Sequence, residues 1–203
     1  MIEKYIESNE TGDMEAHKDS QRYWVKDKGP VVESNLGWVE YYIDPENCRA
    51  FWEGWVCIVD KQKSEKFGAL VKNSEQIIPL LPWAQTMEKE NFLAPDFTSI
   101  DIATFATNTV FLGQNLPNYD DIRENEGFKN VYFGNRMPAS SKVSSIQFAD
   151  EDQAQILAEK SIKCYEVQVG CHELLGHGVG RNIYRNADGT CPTYTDPITN
   201  EEF

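Results

Sequence analysis

His172-Glu173-Leu174-Leu175-Gly176-His177 (HELLGH, residues 172–177) determines how this 203-residue chain is read. The chain has 3 histidines, and two of them fall in this hexapeptide, with a glutamate directly after the first. In the common H-E-x-x-H motif the histidines stand at i and i+4 on one helix face, both aimed at zinc. Here the spacing is one residue longer. On an ideal helix of about 3.6 residues per turn, that separates the two side chains by about 140°. One extra residue looped out as a π-bulge restores a shared face, and Gly176 lies where the helix needs that relaxation. The spacing predicts a locally distorted helix, with His172 and His177 as ligands of one zinc ion. Glu173 is the candidate general base, because zinc acidifies water and polarises a carbonyl while a neighbouring carboxylate takes the proton. The plainer alternative is an amphipathic helix with two satisfied polar histidines. Typical residue frequencies, however, produce H-E-x-x-G-H by chance in only about one chain of this length in several thousand.

Around this segment, residues 165–178 read as a helix stopped by Gly178 and Gly180. A separate helix starts at Asp150-Glu151-Asp152 and runs to about Lys163. Residues 2–28 are charged and helix-compatible up to the Lys28-Gly29-Pro30 breaker. Residues 36–44 (LGWVEYYID) read as a strand whose alternation puts Trp38, Glu40 and Tyr42 on one face. Residues 50–59 (AFWEGWVCIV) form a second strand. A helix is expected over 60–81, on the spacing of Phe67, Leu70, Val71 and Ile78. Residues 95–99 read as a turn, with Thr98-Ser99-Ile100-Asp101 resembling a capping box. Gly113 and Pro117 argue against regular structure over 113–119, and Asp120-Asp121 suits a helix start. After Gly180, Asp188-Gly189 and Asp196-Pro197 punctuate turns or a hairpin. The fold class is α+β, mainly helical around the HELLGH segment, with a smaller β-element.

With 19 Lys+Arg against 33 Asp+Glu, the formal net charge of −14 disfavours nucleic acid as a partner and docking on an anionic membrane. No run approaches the roughly 20 apolar residues of a membrane span. The start lacks the basic-then-apolar build of a secretion signal. The 5 cysteines (Cys48, Cys57, Cys164, Cys171, Cys191) are an odd set without C-x-x-C spacing, which fits free thiols in a reducing cytoplasm. Cys171, beside His172, is expected to be a small core-facing neighbour.

HELLGH, preceded by VQVG (167–170) and followed by Gly178-Val179-Gly180, resembles the zinc motif of the dipeptidyl peptidase III family. So do GPVVESNLGWVEYYIDP (29–45), LPW (81–83), FLAPDFTSID (92–101) and NLPNYDDIRENEGFKNV (115–131), in family order over nearly the whole chain. The resemblance implies a zinc exopeptidase that releases dipeptides from the amino end of oligopeptides. It implies a two-lobed fold, one lobe mainly helical and holding zinc, the other containing a β-barrel. It also implies His172 and His177 as metal ligands and Glu173 as the catalytic carboxylate. By the same resemblance Glu40 holds the substrate ammonium, Tyr42 hydrogen-bonds the reacting carbonyl, and Asn115 and Asn118 bind the substrate's amino terminus. The chemistry is compatible, since an ammonium wants a carboxylate and amide oxygens, and an oxyanion wants a fixed donor. Without the family, the preferred reading is that Tyr42 packs and the asparagines shape a turn at Pro117.

A catalytic zinc normally takes three protein ligands. The family's third is a glutamate in a later E-E-C-R-A-E motif, which this sequence does not contain; Glu201 and Glu202 are poor substitutes. The chain is therefore read as an internal piece of the two-lobed enzyme. Residues 1–60 and 99–145 are pieces of the β-containing lobe, and 61–98 and 146–203 pieces of the helical zinc lobe. The expectation is one Zn2+ per chain, an oligopeptide substrate and a cytoplasmic location. The rivals are a catalytically inactive remnant that at most binds a partner, and a different HExxGH-type endopeptidase.

Overall fold

A computed structural model describes residues 1–40, 51–107, 109–140, 146–196 and 199–202. Tyr42 lies outside them, and of Glu40 only the backbone is described. The charged amino-terminal stretch is two helices, α1 (Ile2–Thr11) and α2 (Met14–Lys26). Gly12 separates them with a φ of 74°, a conformation glycine adopts without a Cβ clash. Asp13 then caps α2 by accepting from the Glu15 amide at 2.9 Å. Two long strands follow, β1 (Val32–Glu40) and β2 (Phe51–Asp60), the second ending where the Asp60 carboxylate caps α3 (Lys61–Lys72). The helix expected to reach residue 81 breaks at Asn73. It resumes as α4 (Ser74–Ile77) and a 3-10 turn at Ile78–Leu80, with α5 (Ala84–Met87) beyond.

The expected turn at 95–99 is instead the start of a strand, β3 (Asp96–Ala106). Thr98 and Ser99 are buried within it rather than capping a helix. The stretch expected to be irregular holds the short strand β4 (Gly113–Leu116) before α6 (Asp120–Asn125). Tyr119, not Asp120, occupies the cap position of α6, and the two aspartates fill its first turn. After β5 (Lys129–Phe133) and α7 (Arg136–Ser140), the two carboxy-terminal helices expected from the sequence are one. Helix α8 runs unbroken over Glu151–Cys171 and continues as a π-helical turn, His172–His177.

The strands form one sheet in the order β1-β2-β3-β5-β4. Only β3 and β5 run parallel; the other neighbours are antiparallel. Side-chain alternation gives the sheet two apolar faces. Val131 and Phe133 join Trp24, Trp55, Cys57, Ile100 and Ile122 on the face covered by α2 and α6. Tyr132, between them, joins Phe67, Phe97, Val169 and Leu174 on the face covered by α3 and the end of α8. Phe67 stacks on Phe97 with centroids 4.4 Å apart. The sheet curls enough for Glu33 on β1 to meet Lys129 on β5 at 2.6 Å, although β2 and β3 stand between those strands.

Helix α8 is anchored mainly through its last turns. Val169 and Gly170 are buried, whereas Ile156, Leu157, Tyr165 and Val167 stand exposed on its outer face. This is apolar surface of the kind a partner element covers. Cys171 follows the outer face and is exposed rather than core-facing, because the inward positions are 169, 170, 173 and 174. Cys57, Cys164 and Cys191 are free thiols as well. No described helix is long and apolar enough to cross a membrane.

Candidate metal and peptide site

The π-helical turn carries the site. An i→i+5 ladder widens each turn, so residues five apart come onto one face. The His172 and His177 rings lie perpendicular, with centroids 4.6 Å apart. Their Nε2 atoms are 3.0 Å from each other. In a tetrahedral zinc site with Zn–N near 2.05 Å the two nitrogens stand about 3.3 Å apart, so the pair needs only a few tenths of an ångström to share an ion. Partial burial of the ring, His172 and the Arg123 guanidinium all hold the His177 pKa below its ordinary value, a shift towards the neutral form a metal requires. The donor set fits zinc as two of its ligands. Among the described residues no group of three His, Cys, Asp or Glu side chains is placed to hold an ion. Glu201 and Glu202 are exposed beyond a tight turn, where Glu202 bridges to Thr195.

Between the exposed histidines Glu173 points inward and is 4% exposed. Strand β4 runs directly beneath it. A Cβ at Gly113 would stand 2.5 Å from Val169 Cγ1 and 2.8 Å from Glu173 Oε1, so only glycine lets the strand approach this closely. Two residues on, Asn115 Nδ2 donates to the Glu173 carbonyl at 3.0 Å and to Asn130 Oδ1 at 2.6 Å. The histidines, Glu173, Asn115, Asn118 and Gln114 line one cavity of about 140 Å³. The structure thus brings five of the seven expected site residues to one place; the Glu40 side chain and Tyr42 fall outside the described residues.

Sequence reasoning missed Arg123. From α6 it donates to the His177 carbonyl at 2.6 Å, to the Pro117 carbonyl at 3.1 Å and to Asn115 Oδ1, and it lies 5.1 Å over the Phe128 ring. It closes the carbonyl end of the π turn, where a cation also opposes the dipole. The available signal was a single arginine in the acidic run DDIREN, eight residues after Asn115. Gly113, a breaker by propensity, is here a contact.

The two glycines of the motif differ in what they do. A Cβ at Gly176 meets nothing within 4 Å, while one at Gly178 would stand 2.4 Å from the Leu174 carbonyl and 3.0 Å from Phe128. Gly176→Ala is therefore expected to leave stability unchanged or raise it slightly, and Gly178→Ala to cost about 1–3 kcal/mol through overpacking. Urea unfolding of both variants checks the contrast; equal effects would mean the turn is not held by this contact.

Residues 1–202 match the model of peptidase family M49, and the chain belongs to that family. Among curated relatives, dipeptidyl peptidase 3 of Nematostella vectensis is 47% identical over 190 residues, covering 94% of this chain and 26% of that protein. The human dipeptidyl peptidase 3 is 43% identical over 204 residues, covering 100% of this chain and 28% of that one. The chain thus spans less than a third of these relatives' length. Two solved structures share its fold. DPP III from Caldithrix abyssi has a TM-score of 0.67 at 20% identity, covering 88% of this chain and 35% of that one. Dipeptidyl-peptidase III from Corallococcus sp. strain EGB has a TM-score of 0.70 at 19% identity, covering 90% and 34%.

Proposed function

We propose that this chain supplies half of a zinc site, the general base and the amino-terminus subsite of a dipeptidyl-peptidase acting on oligopeptides in the cytoplasm. The observation that carries the reading is the convergence of His172 and His177 Nε2 at 3.0 Å over a cavity shared with the Glu173 carboxylate. His172 and His177 would hold zinc as two of its protein ligands. When bound, zinc supplies Lewis acidity to the scissile carbonyl and acidifies water. Glu173 removes the proton from the attacking water and returns it to the leaving amine. Asn115 and Asn118, with Glu40, receive the substrate ammonium two residues from the cut, and Tyr42 steadies the developing oxyanion. Family membership and the dipeptidyl peptidase 3 relatives support this reading.

The test measures zinc bound per chain after dialysis, together with arylamine release from a dipeptidyl arylamide. One zinc per chain, lost in His172→Ala and in His177→Ala, with release blocked by acetylating the substrate amine, is the expected result. Absence of bound zinc in the wild type sinks the metal assignment. With only two ligand side chains gathered among the described residues, the second reading is a zinc-binding segment without turnover of its own. Bound zinc with no arylamine release would favour it.

A further inference from the structure

The ladder between β1 and β2 is regular up to Trp38↔Trp52 and then slips, so that Glu40 stands opposite Phe51. Val39 is the extra residue of a β-bulge, a device that bends a strand and re-aims the residues beyond it. The alternation expected for 36–44, with Trp38 and Glu40 on one face, is therefore interrupted one residue before Glu40. Two backbone carbonyls at the bulge accept hydrogen bonds from the loop between β4 and α6. Tyr119 Oη donates to the Trp38 carbonyl at 3.3 Å, and Asn118 Nδ2 donates to the Val39 carbonyl.

Just before the bulge, Gly37 packs against His17 of α2. A Cβ at Gly37, whose φ is 139°, would stand 2.4 Å from His17 Cε1. The His17 ring in turn meets Tyr119 edge-on, with centroids 5.8 Å apart. The same loop is tied to the π turn, because Arg123 bridges the Pro117 and His177 carbonyls. Three residues, 117–119, thus lie between the strand that ends at Glu40 and the turn that carries the histidine pair.

We infer that Tyr119 is a positioning residue: with Asn118 it pins the β1 bulge and so sets how far Glu40 lies from the histidine pair. This deepens the proposed function, since that spacing measures two residues from the substrate's amino end. Asn118 thus has a second task besides lining the cavity.

Tyr119→Phe removes the hydroxyl and keeps the ring, so the His17 contact survives. Two readouts apply to the metal-free protein: residue-resolved amide hydrogen exchange, and affinity for a free-amine hexapeptide against its acetylated counterpart. The variant is expected to exchange about fivefold faster at the Trp38–Trp52 and Glu40–Phe51 pairs, the loss of one hydrogen bond, with no change at Val32–Asn35. The preference for the free amine should fall by a similar factor. A preference unchanged in the variant, or lost without any change in exchange, overturns the positioning role. A wild type with no preference overturns the amino-terminus reading itself, and the positioning role with it.

Discussion

Lys129→Met is expected to lower the unfolding free energy by about 3–5 kcal/mol at neutral pH, enough to leave a chain of ordinary stability partly unfolded. Lys129 is 0% exposed. Its ammonium donates to Glu33 Oε2 at 2.6 Å and to the Asp27 carbonyl at 2.6 Å, and lies 5.0 Å over the Trp24 ring. Glu33, 1% exposed, also accepts from Trp24 Nε1 at 2.8 Å. Burial already pushes the Glu33 carboxyl above its ordinary pKa, against the pull of Lys129 and Trp24. Methionine fills the volume but leaves that carboxylate without its counter-ion, so it must be held charged in an apolar core or be protonated. Either route costs several kcal/mol. The pH dependence has a definite sign. Protonated Glu33 does not need the ammonium, so the deficit is smallest at low pH and grows as pH rises through the carboxyl's raised folded pKa, above which the wild type keeps a paired charge and the variant an unpaired one. Glu33→Gln in the Lys129→Met background is expected to recover much of the loss, because no buried charge remains. Urea unfolding of the single and double variants at pH 5 and pH 7 measures all of this. A single-variant loss below about 1 kcal/mol at pH 7 would mean the pair is effectively solvated.

That lysine shows what the sequence could and could not reveal. Nothing local in GFKNV marks Lys129 as buried; its partner is 96 residues away. The features that were legible are those whose cause is local: a helix beginning near residue 60, the acidic first turn of α6, the strand pattern of β2. The π turn belongs with them, because an i, i+5 histidine pair has few other ways to converge. The misreadings share one origin. Thr98-Ser-Ile-Asp101 satisfies a capping pattern, yet β3 is decided by its two sheet neighbours. Gly113 breaks a strand by propensity, yet the close approach of Val169 and Glu173 requires it. Nor does composition announce the bulge at Val39, whose carbonyl is held by a side chain 79 residues further on. In each case a long-range contact overrides a local preference.

The other large effect concerns Glu173, and its value lies in separating two roles that one cavity holds together. Under the proposed chemistry, Glu173→Gln in the zinc-loaded protein is expected to cut dipeptidyl arylamide turnover by about 10²–10⁴-fold, the usual worth of a general base. Glutamine matches the carboxylate in size, so the contact with the Gly113 backbone is kept. The Asn115 bond is to the Glu173 main-chain carbonyl, not to the side chain, and survives as well. Because the converging donors are the histidine nitrogens, 3.0 Å apart, zinc affinity should fall by no more than the roughly 10–100-fold that an outer-shell neighbour is worth, with the zinc still bound. His177→Ala should give the opposite pattern, with zinc lost along with turnover. Side-by-side zinc titration and turnover of the two variants therefore distinguish a base from a ligand. Retention of more than a tenth of the activity in Glu173→Gln would remove Glu173 from the proton path. Loss of zinc in that variant would instead make the buried carboxylate part of the metal's own shell, and the base would have to be sought elsewhere in the cavity.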